Sequence, residues 1–253
     1  MTNGKFRQLL TIVLVLSTVS YAAYWDGGAG TTSWNDAANW DPDGVPTPDT
    51  DLELGAEPAQ EIVVSANASS SRIDLGYEND YDVNFTVDGA TLTTGWFVNA
   101  SKKVDATVNI TNGGTLDTAY NRLYISNYGT GVINVYDGTV KNLNTEYGIF
   151  MCGKPAGEAT INLYDGEIIA NGIETGNQWT VNIGSGELKL NGDHRTFMNT
   201  YSDNFNPIQG MTSIQVDYDS QGDLTTVTAV PEPATLTLLG IGGLSLFRRK
   251  RKN

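Results

Sequence analysis

Histidine and cysteine, the side chains that most often act as zinc ligands, are rare in this sequence. His194 is the only histidine and Cys152 the only cysteine, so a zinc site built from His and Cys ligands is disfavoured. His194 stands in a turn-like stretch, residues 192–195, and no Gly-x-Ser-x-Gly nucleophile elbow precedes a helix. We therefore expect no catalytic residue and no cofactor, and we do not expect an enzyme.

Two carboxylates occupy equivalent Asp-Gly turns. Asp137 precedes Gly138 and Asp165 precedes Gly166, and two stacked carboxylates could share a proton or bind Ca²⁺ weakly. Asp-Gly is also what a tight turn requires, because both residues tolerate positive φ. Turn chemistry is the favoured interpretation, and Asp137 and Asp165 remain weak Ca²⁺ candidates.

Aromatic residues recur at one place in strand-like stretches. Alternation that points Trp96 inward points Phe97 outward, and the same alternation predicts an outer column of Phe97, Tyr124 and Phe150. Tyr136 and Tyr164 form a second outward pair. Such columns stabilise a sheet by stacking, or they form a flat strip that holds sugar rings. These five residues are the candidate glycan-binding set.

The elements that would position these residues form a repeat. Apolar-Asn-apolar triplets recur with their asparagines at 84, 109, 134, 162 and 182, which are 20 to 28 residues apart. Each triplet leads to a glycine turn and a second apolar stretch, and a third stretch follows in most copies. A unit of about 25 residues with three short strands is the signature of a solenoid.

The repeat predicts an all-β fold, a single-stranded right-handed parallel β-helix with capped ends. Each coil would rise by about 4.8 Å and stack equivalent residues in ladders, including the asparagines. The rival fold is a meander of hairpins, since Asp-Gly is also a hairpin turn. A meander does not explain the third stretch.

Residues 1–22 have the three parts of a secretory signal peptide. Lys5 and Arg7 precede the apolar run 9–19, and small residues at Ser20 and Ala22 would allow cleavage before Ala23. The alternative is an uncleaved membrane anchor, but the run is shorter than the ~20 residues that a span needs. The sequence predicts export.

The C-terminus has a second tripartite pattern. Val230, Pro231, Glu232 and Pro233 precede an apolar stretch at 234–247. A basic tail then follows, consisting of Arg248, Arg249, Lys250, Arg251 and Lys252. A short transmembrane helix with a basic cytoplasmic end would act as a stop-transfer signal, and an ordinary tail anchor is the alternative.

This pattern resembles the PEP-CTERM sorting signal of bacteria that make extracellular polysaccharide. The resemblance covers about the last 24 residues and implies processing by an exosortase, a transpeptidase-like membrane protease, near residues 231–233. The Trp-rich N-terminal stretch, with Trp25, Trp34 and Trp40, resembles the opening of autotransporter-like surface proteins that continue as a β-helix.

These features divide the chain into five regions. They are a signal peptide at 1–22, a Trp-rich cap at 23–50, solenoid repeats at 51–192, a C-terminal cap and linker at 193–229, and the sorting signal at 230–253.

Charge narrows the choice of partners. The net charge is −14, and without the first 22 and last six residues eight basic residues face 29 acidic ones, a formal −21. Such a body repels phosphate backbones, so nucleic acid is excluded as a partner.

The expected function follows from the two terminal sorting signals and from the repeat. We expect a non-catalytic structural or adhesive protein of the cell surface or extracellular matrix, held transiently in the inner membrane by its C-terminal segment. An exosortase and extracellular polysaccharide are the expected partners. A polysaccharide-binding module is the alternative, and a polysaccharide lyase or hydrolase is the second alternative.

Overall fold

The computed structural model describes residues 22–55, 61–76, 81–100, 104–118, 121–146 and 148–231. The predicted signal peptide up to residue 21 and the predicted transmembrane segment and basic tail lie outside these residues. Short strands make up most of the described chain. The strands are β1 (Ala22–Trp25), β2 (Trp40–Asp41), β3 (Asp51–Leu54), β4 (Glu61–Val64), β5 (Ala68–Leu75), β6 (Val83–Asp88), β7 (Thr91–Val98), β8 (Ala106–Thr111), β9 (Thr115–Asp117), β10 (Leu123–Ser126), β11 (Thr130–Val135), β12 (Thr139–Asn142), β13 (Ile149–Cys152), β14 (Glu158–Leu163), β15 (Glu167–Ala170), β16 (Ile173–Glu174), β17 (Gln178–Ile183), β18 (Glu187–Asn191), β19 (Phe205–Pro207), β20 (Met211–Asp219) and β21 (Leu224–Pro231).

Helical structure within the described ranges is limited to short segments. One α-helix, α1, spans Arg195–Thr200, and single 3₁₀ turns span Ala37–Asn39 and Ser202–Asn204. No helix among the described residues is long and apolar enough to cross a membrane.

The strands form the parallel coils that the repeat predicted. One sheet runs β4-β6-β8-β11-β14-β17-β19 and is parallel throughout. In its centre Ile133 pairs with Val108 of the preceding coil and Ile161 of the following coil. The second sheet carries the other stretches of each coil, and β7, β10, β13 and β16 pair in parallel beside it. The β-solenoid is confirmed, and a meander of antiparallel hairpins does not describe these coils.

Inward-pointing residues of each strand form one continuous core. Val108, Ile110, Ile161 and Val181 expose at most 1% of their surface, because alternation turns every second side chain into the coil. Strands of the coils above and below pair with the backbone N–H and C=O groups of each central strand.

The predicted register is wrong in one coil. Thr86, not Asn84, pairs with Asn109, and Asn84 pairs with Thr107. The Val83-Asn84-Phe85 triplet is offset by two residues along its strand, so Phe85 rather than Val83 lies beside Val108. A shift of two keeps the inward phase intact, which is why the apolar pattern alone did not reveal it.

Three tryptophans close the N-terminal end of the core. Trp25, Trp34 and Trp40 are buried, and Trp40 contacts the other two edge to face at centroid distances of 5.1 and 4.9 Å. The Trp40 indole N–H donates to the Trp34 carbonyl at 2.8 Å. The stretch also contributes β1, which pairs in parallel with β3.

The C-terminal end is closed by different elements. The hairpin β20–β21 adds to the second sheet through an antiparallel pairing of β21 with β18. Helix α1 packs beside the end of the core, where Phe197 and Phe205 contact Trp179 at centroid distances of 6.4 and 5.6 Å. Antiparallel strands thus interrupt the parallel stacking at this end.

Candidate functional site

The predicted outer column is wrong at Phe97. Phe97 is fully buried and lies in the core between Ile73 and Leu123. In β7 the alternation slips by one at a corner, since Thr94 and Phe97 are both buried while Trp96 is only partly so. The slip falls at Gly95, where an added Cβ would lie 2.7 Å from the Ser71 carbonyl oxygen of the previous coil. A corner inside a continuous strand reverses the phase, and the sequence pattern did not show it.

Trp96 takes the outer position instead. The Trp96 and Tyr124 rings stack at 6.2 Å, and the Tyr124 and Phe150 rings stack at 5.0 Å. The Arg72 guanidinium lies over Trp96 at 5.0 Å, and Arg122 lies over Phe150 at 5.7 Å.

Arg122 also donates a hydrogen bond to the Tyr124 hydroxyl at 2.8 Å. The three stacked side chains are each only partly exposed. Stacking and cation–π contacts thus occupy the ring faces within the fold. We therefore interpret this column as a structural ladder.

The second predicted pair lies where it was expected. The rings of Tyr136 and Tyr164 stack at 4.9 Å with 12° between their planes, and Tyr136 is 43% exposed. The Tyr136 amide donates to the Ile110 carbonyl of the preceding coil, which places Thr111 beside Tyr136 on the outer surface. Tyr164 therefore covers one face of the Tyr136 ring, and the other face is directed toward the preceding coil, which contains Thr111.

A groove of about 620 Å³ opens on that second face. It crosses the outer surface of β4, β6 and β8 and ends at Tyr136 and Asp137, directly after β11. Seven of its eight lining residues carry groups suited to polar recognition: Glu61, Thr86, Asp88, Thr111, Asn112, Tyr136 and Asp137. Sequence analysis singled out Tyr136 and Asp137 but did not place the other lining residues beside them, because the two-residue offset of β6 changes which side chains lie opposite β8.

Both weak Ca²⁺ candidates make turn hydrogen bonds. Asp137 Oδ1 accepts from the Gly113 amide at 3.4 Å, and Asp165 Oδ1 accepts from the Gly166 amide at 2.9 Å. Gly166 adopts φ of 83°, which accounts for the glycine after the aspartate. In the described ranges no group of three or more His, Cys, Asp or Glu residues could hold a metal ion.

One carboxylate is buried. Asp74 is 2% exposed. Its Oδ2 atom forms a salt bridge with Nη2 of Arg72 at 2.6 Å. Desolvation raises the pKa of Asp74 above its usual range, and the hydrogen bond and charge of Arg72 oppose that rise.

His194 lies in a surface turn before α1. Its backbone N–H donates to the Thr225 hydroxyl at 2.9 Å, which ties the turn to the terminal hairpin. Beside it, Arg195 hydrogen-bonds Asp193 and lowers the pKa of that carboxyl to about 2. The His194–Thr225 bond therefore connects the turn to β21, whereas the Asp193–Arg195 pair is local to residues 193–195.

The predicted sorting motif begins inside the fold. Val230 and Pro231 end β21, opposite Ser213 and Met211 of β20, and the Thr212 hydroxyl donates to the Val230 carbonyl at 3.3 Å. Glu232, Pro233 and the basic tail 248–252 lie outside the described residues.

Comparison with known proteins finds a match at the C-terminal end of the chain. Residues 229–252 match the family model of the PEP-CTERM protein-sorting motif. No curated protein and no solved structure matches the chain. A PEP-CTERM motif directs a protein to export and to processing by an exosortase. The chain is therefore an exported, exosortase-sorted protein directed to the cell surface, and its body is a parallel β-solenoid.

Proposed function

We propose that the exported body is a non-catalytic structural and adhesive element of the cell surface or the extracellular matrix. The observation that carries the proposal is the run of side-chain ladders along the coils. Asn134, Asn162 and Asn182 each donate a hydrogen bond to the asparagine one coil before, at 2.8 to 2.9 Å. Ladders of this kind add side-chain bonds to the backbone bonds between the coils that they join and favour a stiff rod.

The position of the sorting motif supports the same role. Because β21 runs directly into Pro231, the rod meets the sorting segment without an intervening spacer in the described chain. Its opposite end, closed by the buried Trp34 and Trp40, would then stand farthest from the membrane. Such an arrangement suits display of the outer surface to extracellular polysaccharide, with the C-terminal segment as a transient membrane anchor.

The test uses native cells from which the protein has been deleted and the same cells after the protein has been restored. Cell–cell adhesion and matrix retention should fall without the chain and return with the wild-type chain. A chain with Pro231→Ala and Pro233→Ala keeps the coils and should not restore them, because sorting fails. Unchanged adhesion in cells without the chain contradicts the proposal. Release of reducing sugar by the purified protein would instead favour a hydrolase or lyase.

A further inference from the structure

The Tyr136 ring ends an aromatic ladder in the middle of the solenoid. Tyr164 covers one of its faces at 4.9 Å. On the other side the equivalent position belongs to Thr111, whose small side chain leaves the groove open. An aromatic face beside polar groups is the platform on which the flat side of a sugar ring packs, and an ammonium group is attracted to the same face.

The two aromatic columns differ in what covers their ends. Arg72 lies over Trp96 in the first column, so a guanidinium already occupies the position that a ligand would take. At Tyr136 the residues on that side are Thr111 and Asn112, and Tyr136 as a whole residue stays 43% exposed. The available ring face is thus at Tyr136, in the second predicted pair, and not in the first predicted column.

Charge in the groove selects among sugars. Carboxylates of Glu61, Asp88 and Asp137 line it, and its lining within the described chain includes no lysine or arginine. A uronic acid or a sulfated sugar would be repelled there. A sugar with a free amino group would gain charge-assisted hydrogen bonds, which are about twice as strong as neutral ones.

The carboxylates keep acceptor atoms for such a ligand. Asp88 accepts from the Thr111 hydroxyl and the Asn112 amide, both through Oδ1. Asp137 also uses Oδ1, toward the Gly113 amide. In the part of the chain that the structure describes, Oδ2 of both residues has no hydrogen bond, so these atoms remain for a donor in the groove.

From this geometry we infer that the groove binds a glycan of amino sugars with free amino groups. One sugar ring packs on Tyr136, and its neighbours reach Asp88 and Glu61 along the groove. From β11 to β4 the groove crosses three strand spacings, about 14 Å, which suits a short oligosaccharide. This binding activity goes beyond the structural role and does not depend on it.

Calorimetric titration of the full-length protein, purified in mild detergent, tests the inference. The three probes are glucosamine oligomers, N-acetylglucosamine oligomers of the same length, and oligouronates. We expect glucosamine oligomers to bind at least about tenfold more tightly than the N-acetylated oligomers, a difference of about 1.4 kcal/mol. We expect no binding of the oligouronates, and added salt should weaken the glucosamine complex.

Matched variants locate the site. Tyr136→Ala should lose at least about tenfold in affinity, and Tyr136→Phe should keep it because the ring remains. Tyr128→Ala is the control, since Tyr128 is 42% exposed and is not among the groove residues. Glu61→Gln should reduce the preference for the free amine while leaving the platform intact.

Three results would overturn the inference. They are the absence of binding by glucosamine oligomers, equal affinity for the N-acetylated oligomers, and equal affinities of the Tyr136→Ala and Tyr128→Ala proteins. Circular dichroism checks that Tyr136→Ala still folds. If it does not, Glu61→Gln decides the question, because it preserves side-chain volume and an unchanged preference for the free amine would contradict the site. Adhesion of cells that carry Tyr136→Ala is compared with adhesion of wild-type cells. Equal adhesion means that the structural role does not depend on this site.

Discussion

Asn162 donates its side-chain hydrogen bond to Asn134 at 2.8 Å, although 28 residues separate the two along the chain. Asn134 in turn donates to Asn109 at 2.9 Å. The chain thus uses one residue type at matching positions to connect successive coils. The ladder extends beyond the predicted copies, since Asn206 of β19 donates to Asn182 at 3.3 Å.

Breaking the asparagine ladder at its centre should destabilise the solenoid. Asn134→Ala removes one donated and one accepted hydrogen bond at a side chain that is only 9% exposed. We expect the free energy of unfolding to fall by about 1–3 kcal/mol, measured by urea denaturation. Asn84→Ala is the control, because Asn84 is exposed and off the ladder, and it should change stability by less than about 0.5 kcal/mol. Equal effects of the two substitutions would contradict the observed register.

The phase of β7 can be tested with two neighbouring aromatic residues. Phe97→Ala opens a cavity in the core and should cost about 3–5 kcal/mol of unfolding free energy. Trp96→Ala removes a partly exposed ring from the outer stack and should cost about 1 kcal/mol. Chemical denaturation of both variants gives the comparison. A larger loss for Trp96→Ala would mean that Trp96, and not Phe97, points into the coil.

Asp74 should make stability depend on pH. Its folded-state pKa is raised above the unfolded value, so the folded state loses stability as pH rises from the unfolded pKa through the folded pKa. Asp74→Asn cannot ionise and lacks this loss. We therefore expect the Tm of Asp74→Asn relative to wild type to increase between pH 4 and pH 7, measured by calorimetry. A relative Tm that falls over this range would mean that Arg72 outweighs desolvation.

Cys152 should be unreactive in the folded protein. Its thiol is 3% exposed and donates to the Gly157 carbonyl at 2.8 Å, so iodoacetamide reaches it only after local or global opening. Mass spectrometry should show modification in denaturant and far slower modification without it. A Cys152→Ala, Ser65→Cys protein, with its thiol at an exposed position, should react quickly in both conditions. Rapid labelling of native Cys152 would contradict its burial.

Sequence and structure agree where the local pattern fixes both the strand and its phase. The triplets around Asn109, Asn134 and Asn162 carry inward residues two apart, and their coils match the prediction. The pattern failed at Gly95, because a bend inside a strand leaves no mark in an apolar count. It also failed at Asn84, where a shift of two residues preserves the same inward phase.

Of the eight residues that line the groove, two were within reach of the sequence as candidate site residues. Tyr136 and Asp137 follow directly from the repeat, since both belong to the turn after an asparagine triplet. Glu61 lies in β4, two coils before Asn109, the first asparagine of the observed ladder. Its place beside the groove follows only from the pairing of Val63 with Thr86 and of Thr86 with Asn109. Recognition surfaces on a solenoid depend on such inter-coil register, which spacing in sequence gives only approximately.

Parallel stacking of the coils is the claim on which every outer column depends, and disulfide trapping tests it most directly. In a Cys152→Ala background, Val132→Cys with Thr160→Cys joins two register partners about 4.8 Å apart, within disulfide reach. Val132→Cys with Glu158→Cys is the matched control, because its offset of two residues separates the Cα atoms by about 8 Å. Mass spectrometry of digested, oxidised protein should find the cross-linked peptide in the first pair and not in the second. Cross-linking in the second pair alone, or in neither pair, would contradict the parallel solenoid.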